Sequence, residues 1–300
     1  MNMKELKFGL EVEMLAERLK IAKAVQSVVG GRITHEGGAY DCYSVTDLRG
    51  RKWKVVRDAS LINVPMSHQA ELVSPILVYD DIPQFQEVVR AARKAGGRVD
   101  ATCSVHCHIS AEHFDGKKVA NLAKIFYKNE DLIIHAFGVS RARLQRYTQP
   151  LSESFIRELE RRKPKTRDEL NPIIYGHRND HPTHYAPERY RTVNLHSIFW
   201  LNTIEFRFME GCLHSGKIRA GLVFCLAIAA KALNAKCASS TKRAYNSSSA
   251  KYDFRVFMVS GLGLIGDEFK NVRKHLLANM PGDAAWKNGR PQRAEAEACN

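Results

Sequence analysis

Three segments far apart in the chain are built alike. "KFGLEVEM" at 7–14, "SVHCHIS" at 104–110 and "TIEFRF" at 203–208 each alternate apolar and polar residues with a period of two. That is the period at which a β-strand sends successive side chains to opposite faces. One face takes Phe8, Leu10, Val12 and Met14 in the first segment, Val105, Cys107 and Ile109 in the second, and Ile204, Phe206 and Phe208 in the third. The other face takes Gly9, Glu11 and Glu13, then His106 and His108, then Thr203, Glu205 and Arg207. Such a chain has to bury one side of a sheet and leave carboxylates, imidazoles and a guanidinium on the other. Glu11 and Glu13 stand about 7 Å apart along their strand.

Shorter strand patterns occur at "KWKVV", "AELVS" and "VNLHSI". Helices are expected at 15–29, ended by Gly30 and Gly31, and at 81–95, opened by Asp80 and Asp81 with Pro83 in the first turn. Further helices are expected at about 117–137, 152–162, 215–236 and 266–279. The strands cluster early and late with irregular helical insertions, which predicts an α+β fold, a curved, mostly antiparallel sheet backed by helices. A single domain is expected over 1–280, with 281–300 as a disordered tail. "AGLVFCLAIAA" at 220–230, flanked by Arg219 and Lys231, is too short for a membrane span and suits a buried core helix.

Alternating polar faces ordinarily mean nothing more than a wet side of a sheet. In a chain with 46 Lys and Arg against 32 Asp and Glu, however, such a face would be expected to carry lysine. Here it selects acid and imidazole. Clustered carboxylates need a cation between them, and oxygen-rich ligation with one or two histidines suits Mg²⁺ or Mn²⁺. Zinc on "CSVHCH" is the competing reading, but Cys103 and Cys107 have strand parity opposite to His106 and His108. The net charge of +14 favours a polyanionic partner, either nucleic acid, nucleotide phosphates or an acidic polymer. Seven cysteines without a Cys-x-x-Cys pair, and the absence of a signal-like apolar run in "MNMKELKFGLEVEM", point to a reducing, cytoplasmic setting.

"GLEVEM" (9–14), "RDAS" (57–60), "ELVSP" (71–75), "VHCHIS" (105–110), "RYRTVNL" (189–195) and "TIEFRFMEG" (203–211) follow one another in an order that resembles the amidoligases. These belong to the carboxylate–amine ligase superfamily of glutamine synthetase and glutamate–cysteine ligase, and the resemblance covers about residues 6–235. It implies a catalytic domain of the glutamine synthetase type. It implies metal ligands at Glu11, Glu13, Asp58, Glu71, His106 and Glu205, with His108 as a neighbour. It also implies phosphate-facing arginines at Arg191 and Arg207, with Ser60 and Asn194 at the nucleotide or carboxylate. No counterpart of the ammonium-binding region of glutamine synthetase is present, so the amine is open.

The activity so implied joins a small-molecule or peptide carboxylate to an amine, with ATP and Mg²⁺ (or Mn²⁺) as cofactors and an acyl phosphate as intermediate. An acidic polymer remains a possible substrate, no membrane is involved, and a monomer or dimer is expected. Two alternatives stay open: a phosphotransferase of related fold, and a basic nucleic-acid-binding protein with a degenerate site. The stretch "GHRNDHPTHYAPERYR" (176–191), with His177, His181 and His184, is either a plain loop or a lid before Arg191. "GLGLIG" (261–266) follows a helical pattern rather than a strand, so it is expected to be a loop between helices.

Overall fold

The computed structural model describes residues 1–289. Its framework is one open sheet of eight strands: β1 (Phe8–Leu15), β2 (Arg32–Gly37), β3 (Cys42–Thr46), β4 (Lys52–Val56), β5 (Gln69–Val73), β6 (Ser104–Ser110), β7 (Val193–Asn194) and β8 (Thr203–Glu210). Their order across the sheet is β2-β3-β4-β5-β1-β6-β8-β7, and every neighbouring pair runs antiparallel. The three alternating segments therefore lie side by side at the centre, as β1, β6 and β8. The hairpin β2–β3 was not expected from the sequence, although Gly37 and Gly38, both at positive φ, mark its turn.

Ten α-helices occur among the described residues: α1 (Arg18–Val29), α2 (Ile82–Lys94), α3 (Gly116–Phe137), α4 (Arg141–Arg146), α5 (Glu153–Arg162), α6 (Arg167–Tyr175), α7 (Ser197–Trp200), α8 (Ser215–Asn234), α9 (Ala250–Val256) and α10 (Lys270–Leu277). The first begins at Arg18 rather than at residue 15, because Leu15 still pairs with Gln69 in the sheet. The apolar run at 220–230 is buried on all sides within α8, as a helix enclosed by protein must be. No helix among the described residues is long and apolar enough to cross a membrane. "GLGLIG" lies between the helical turn Phe257–Gly261 and α10.

One apolar cluster fills the space between the sheet and α1, α2, α3 and α8. Phe206 and Phe208 reach into it from β8 and meet Phe126 of α3, with ring centroids 6.1 and 5.5 Å away. The register of β6 against β8 slips here: Val105 faces Met209, but Cys107 faces Phe206. Arg207 and Phe208 thus share the place opposite His106, which is a β-bulge. The bulge lets Phe206, Phe208 and Met209 all stay buried in the core while Arg207 remains on the open face.

The longest helix is started by Asp115, whose carboxylate accepts the Lys118 amide at 2.7 Å. It ends at Gly138 in the left-handed conformation, φ 64°. Asp115→Ala is expected to cost about 1 kcal/mol, seen as a lower urea midpoint with an unchanged slope. Beyond α10, Met280 is buried and the Pro281 carbonyl accepts the Lys251 amide at 3.0 Å. The remainder of the expected tail, residues 290–300 with Cys299, lies outside the described residues.

Candidate active site

Antiparallel register assembles the open face into a grid. Glu13 sits opposite Glu71, Glu11 opposite His106 and Gly9 opposite His108. His108 sits in turn opposite Glu205, and Glu205 opposite Asn194. Directly opposed residues bring their side chains within contact range, so four strands deliver four glutamates and two histidines to one place, and β7 adds Asn194. Glu13, His106, His108, Asn194, Glu205 and Arg207 are all buried despite their polarity.

His106 is the hub. Its Nδ1 lies 3.1 Å from Glu11 Oε2 and 3.5 Å from Glu205 Oε1, and its Nε2 lies 2.9 Å from Ser104 Oγ. His108 Nε2 lies 3.3 Å from Glu11 Oε1, and its Nδ1 meets Thr203 Oγ1 at 3.0 Å. Asn194 Nδ2 donates to Glu205 Oε2 at 2.6 Å, and Arg207 pairs with the other oxygen, Glu205 Oε1. Two sets of potential ligand atoms lie within 4.8 Å of one another: Glu11, His106 and Glu205, and Glu13, Glu71 and His106.

The electrostatics separate these carboxylates into two classes. Burial pushes the Glu205 carboxyl up, but Arg207, His108 and His106 outweigh it and bring it down to about 2. Burial likewise opposes ionisation of Glu11, yet His108 and His106 hold it well below the ordinary carboxylate range. For Glu13 the balance reverses: burial, then the Asp58 carboxylate, outweigh Ser104, Arg143 and Arg207 and push it up to about 8. Glu71 is raised well above its ordinary value by burial and then by Glu11, Glu13 and Asp58. His106 is lowered by burial and by Arg207. Burial would lower His108 too, but Glu11 and Glu205 push it up to about 9. Burial and mutual repulsion thus make the Glu13–Glu71 side resist holding its full negative charge.

A cleft of about 530 Å³ lies over this floor, lined by Glu11, Glu13, Asp58, Ser60, Glu71, His106 and Arg207 among others. A recess of about 30 Å³ joins it through Glu11 and holds His108, Asn194 and Glu205. Every expected site residue but one is therefore brought to this face. The exception is Arg191, whose guanidinium donates to Gln149 Oε1 at 3.2 Å and to the Pro150 carbonyl at 3.3 Å. It lines a separate pocket of about 260 Å³ with Leu151, Phe155 and Ile173. Arg191 lies outside β7 and forms an isolated bridge with Gln149, which holds it beside residues 149–151 rather than over the acidic floor.

Arg189, two residues earlier, lines the cleft instead, along with Arg57 and Arg143. None of the three was expected. Arg57 stands inside the "RDAS" segment, directly before Asp58. Arg143 sits in "RARLQRY", which looks like basic surface; it is in fact 3% exposed and donates to the Arg207 carbonyl at 3.1 Å. Residues 184–190 form the cleft's outer edge. Tyr185 shares a hydrogen bond with Tyr40 across the opening, 3.1 Å between hydroxyls, and the His184 ring stacks on Trp200 at 5.8 Å. His177 and His181 are exposed and do not line the cleft.

A family model described as "Putative amidoligase enzyme" matches residues 4–229, a span that takes in all eight strands and most of α8. No curated protein matches the chain.

Proposed function

The chain belongs to this amidoligase family, and from that premise we propose that it is an ATP-dependent carboxylate–amine ligase. On this proposal the open antiparallel sheet, with its site on the face away from α1, α2, α3 and α8, is a catalytic domain of the glutamine synthetase and glutamate–cysteine ligase type. A single observation carries it: two carboxylate sets share His106 on the floor of a cleft whose walls supply Arg57, Arg143, Arg189 and Arg207. Acid below and guanidinium around is the arrangement needed to hold polyphosphate through bridging cations.

The residues fit Mg²⁺ or Mn²⁺. The donors are mostly carboxylate oxygens, and Glu13 Oε2 is a buried atom with no hydrogen-bond partner among the described residues. Glu11, His106 and Glu205 would hold one ion, and Glu13 and Glu71, with Asp58 nearby, a second. Bound there, the ions would offset negative charge on the phosphates and let an anionic acid approach ATP.

The chain's own groups then do the positioning. Arg207, fixed by the bulge and by Glu205, faces the transferring phosphoryl group, and Arg143 and Arg189 add charge along the wall. The carboxylate oxygen takes the γ-phosphoryl group and ADP departs. The amine nitrogen next attacks the acyl carbon, releasing phosphate and a proton and leaving an amide. Asn194 keeps Glu205 oriented. The 184–190 segment, clasped by Tyr40, keeps water from the acyl phosphate.

Calorimetric titration of ATP and ADP with and without Mg²⁺ tests the reading. Metal-dependent binding should weaken by about two orders of magnitude in Glu205→Gln, as loss of a ligand predicts. Binding indifferent both to Mg²⁺ and to Glu205 would remove the basis for a ligase.

A further inference from the structure

A second cavity, larger than the candidate active site, opens on the helix side of the molecule. It measures about 820 Å³ and lies between the C-terminal half of α2, the start of α8 and the middle of α10. None of its lining residues belongs to the acidic cleft. Arg90, Arg93, Lys94 and Arg219 line it, with His214 and His275, and among the described residues no aspartate or glutamate does.

The counter-charges around it are few. Arg90 is paired with Glu87 at 2.5 Å. Arg219 donates to the Glu268 carbonyl at 3.4 Å and also meets the Tyr79 hydroxyl, while the Glu268 carboxylate is held chiefly by Lys4 and by that hydroxyl, with Arg219 adding a weaker attraction. Arg93 and Lys94 have no ion pair among the described residues. Elsewhere the basic helices neutralise themselves locally, as Arg157 does with Glu153 and Arg161 with Glu158. Burial, then His214, Lys217 and Lys274, hold the His275 imidazole below its ordinary value. Arg93 and Lys94 also complement the dipole at the end of α2, but that role does not explain why Arg219 and two imidazoles face them across a concavity.

We infer that this cavity is a second binding site, for a small anion carrying adjacent phosphates, separate from the acidic cleft. Like charges converging on a concave surface concentrate anions there. Arginine forks match phosphate oxygens two at a time. A volume of about 820 Å³ lies within the range of roughly 300–1,000 Å³ typical of small-ligand sites. The walls come from three separate helices, which suits a compact oligophosphate better than a continuous strand.

The full chain would be titrated with inorganic tripolyphosphate in EDTA at low salt, so that no metal supports binding at the acidic cleft. One anion should bind per chain, and Arg93→Ala with Lys94→Ala should weaken it at least tenfold in a chain that still unfolds cooperatively, the lost charges at the end of α2 lowering the melting temperature only slightly. Glu205→Gln should leave it unchanged. A dT12 oligonucleotide forms the second arm. Absence of metal-free binding overturns the inference, as does binding indifferent to Arg93 and Lys94 or lost with Glu205→Gln. Capture of dT12 by these residues without tripolyphosphate binding overturns the small-ligand site in favour of a nucleic-acid surface. Because the assay excludes metal, its failure and that of the ligase reading are separate results.

Discussion

Arg207→Ala is expected to lower ADP formation about 10³-fold or more, the loss seen when a guanidinium that steadies phosphoryl transfer is removed. Arg207 is 6% exposed and pairs with Glu205, and its Nε has no hydrogen-bond partner among the described residues. It is thus fixed in the cleft with donor capacity to spare. The burial that would weaken its charge is overcome by Glu205 and then Glu11, so it is held above the ordinary arginine value. Alanine also strands Glu205 in a buried place, and a lower melting temperature is expected with it. Arg207→Lys separates the two effects. A lysine restores the positive charge and most of the stability but not the planar fork. Its rate should still fall at least tenfold, in kcat more than in KM. Basal ATP hydrolysis can serve as the assay before the acid and amine are known. Retention of wild-type rate in the lysine variant would remove Arg207 from the chemistry.

The central strands were legible because their two faces differ so sharply. Once Phe8, Leu10 and Val12 must be buried, Glu11 and Glu13 can only be on the far side, and parity carries the same argument through His106 and Glu205. Register was not legible. Nothing in "SVHCHIS" says that His106 meets Glu11 rather than Glu13, or that β8 slips by a residue at Arg207. The same limit explains Arg191 and Arg189. A strand of two residues, Val193–Asn194, has too few alternations to fix which arginine of "ERYR" turns inward. Arg143 was hidden for another reason. It sits in a six-residue helix whose neighbours are exposed, so its burial depends wholly on where the chain folds back over β6 and β8.

Metal-free protein should lose stability as pH rises from 6.5 to 9, and Mg²⁺ should restore it. Folded Glu13 is pushed up to about 8 by burial and by Asp58, whereas an unfolded glutamate titrates near 4.3. Between those values the folded chain keeps a proton that the unfolded chain has released, so this contribution is complete below about 4.3 and is lost as pH passes 8. His108 works in the same direction. Its folded value of about 9 lies above the unfolded value near 6.5, so its contribution also fades between the two. Glu205 at about 2, with Glu11 also lowered, contributes only a loss in acid, below about 4.3, and is constant across this window. His106 is lowered, so it gains stability only up to about 6.5. The sum is a fall on the order of a few kcal/mol, visible as a melting temperature roughly 5–10 °C lower at pH 9 than at 6.5. At the proposed metal site Mg²⁺ would compete with the proton on Glu13 and Glu71, so its stabilisation should be large at pH 8.5 and small at pH 5.5. Glu13→Gln should flatten the metal-free profile and abolish most of the Mg²⁺ gain. Scanning calorimetry at three pH values, in EDTA and in Mg²⁺, measures both. A metal-free melting temperature that rises through this window would mean that Glu13 is ionised in the empty fold and that the acidic floor is not waiting for a cation.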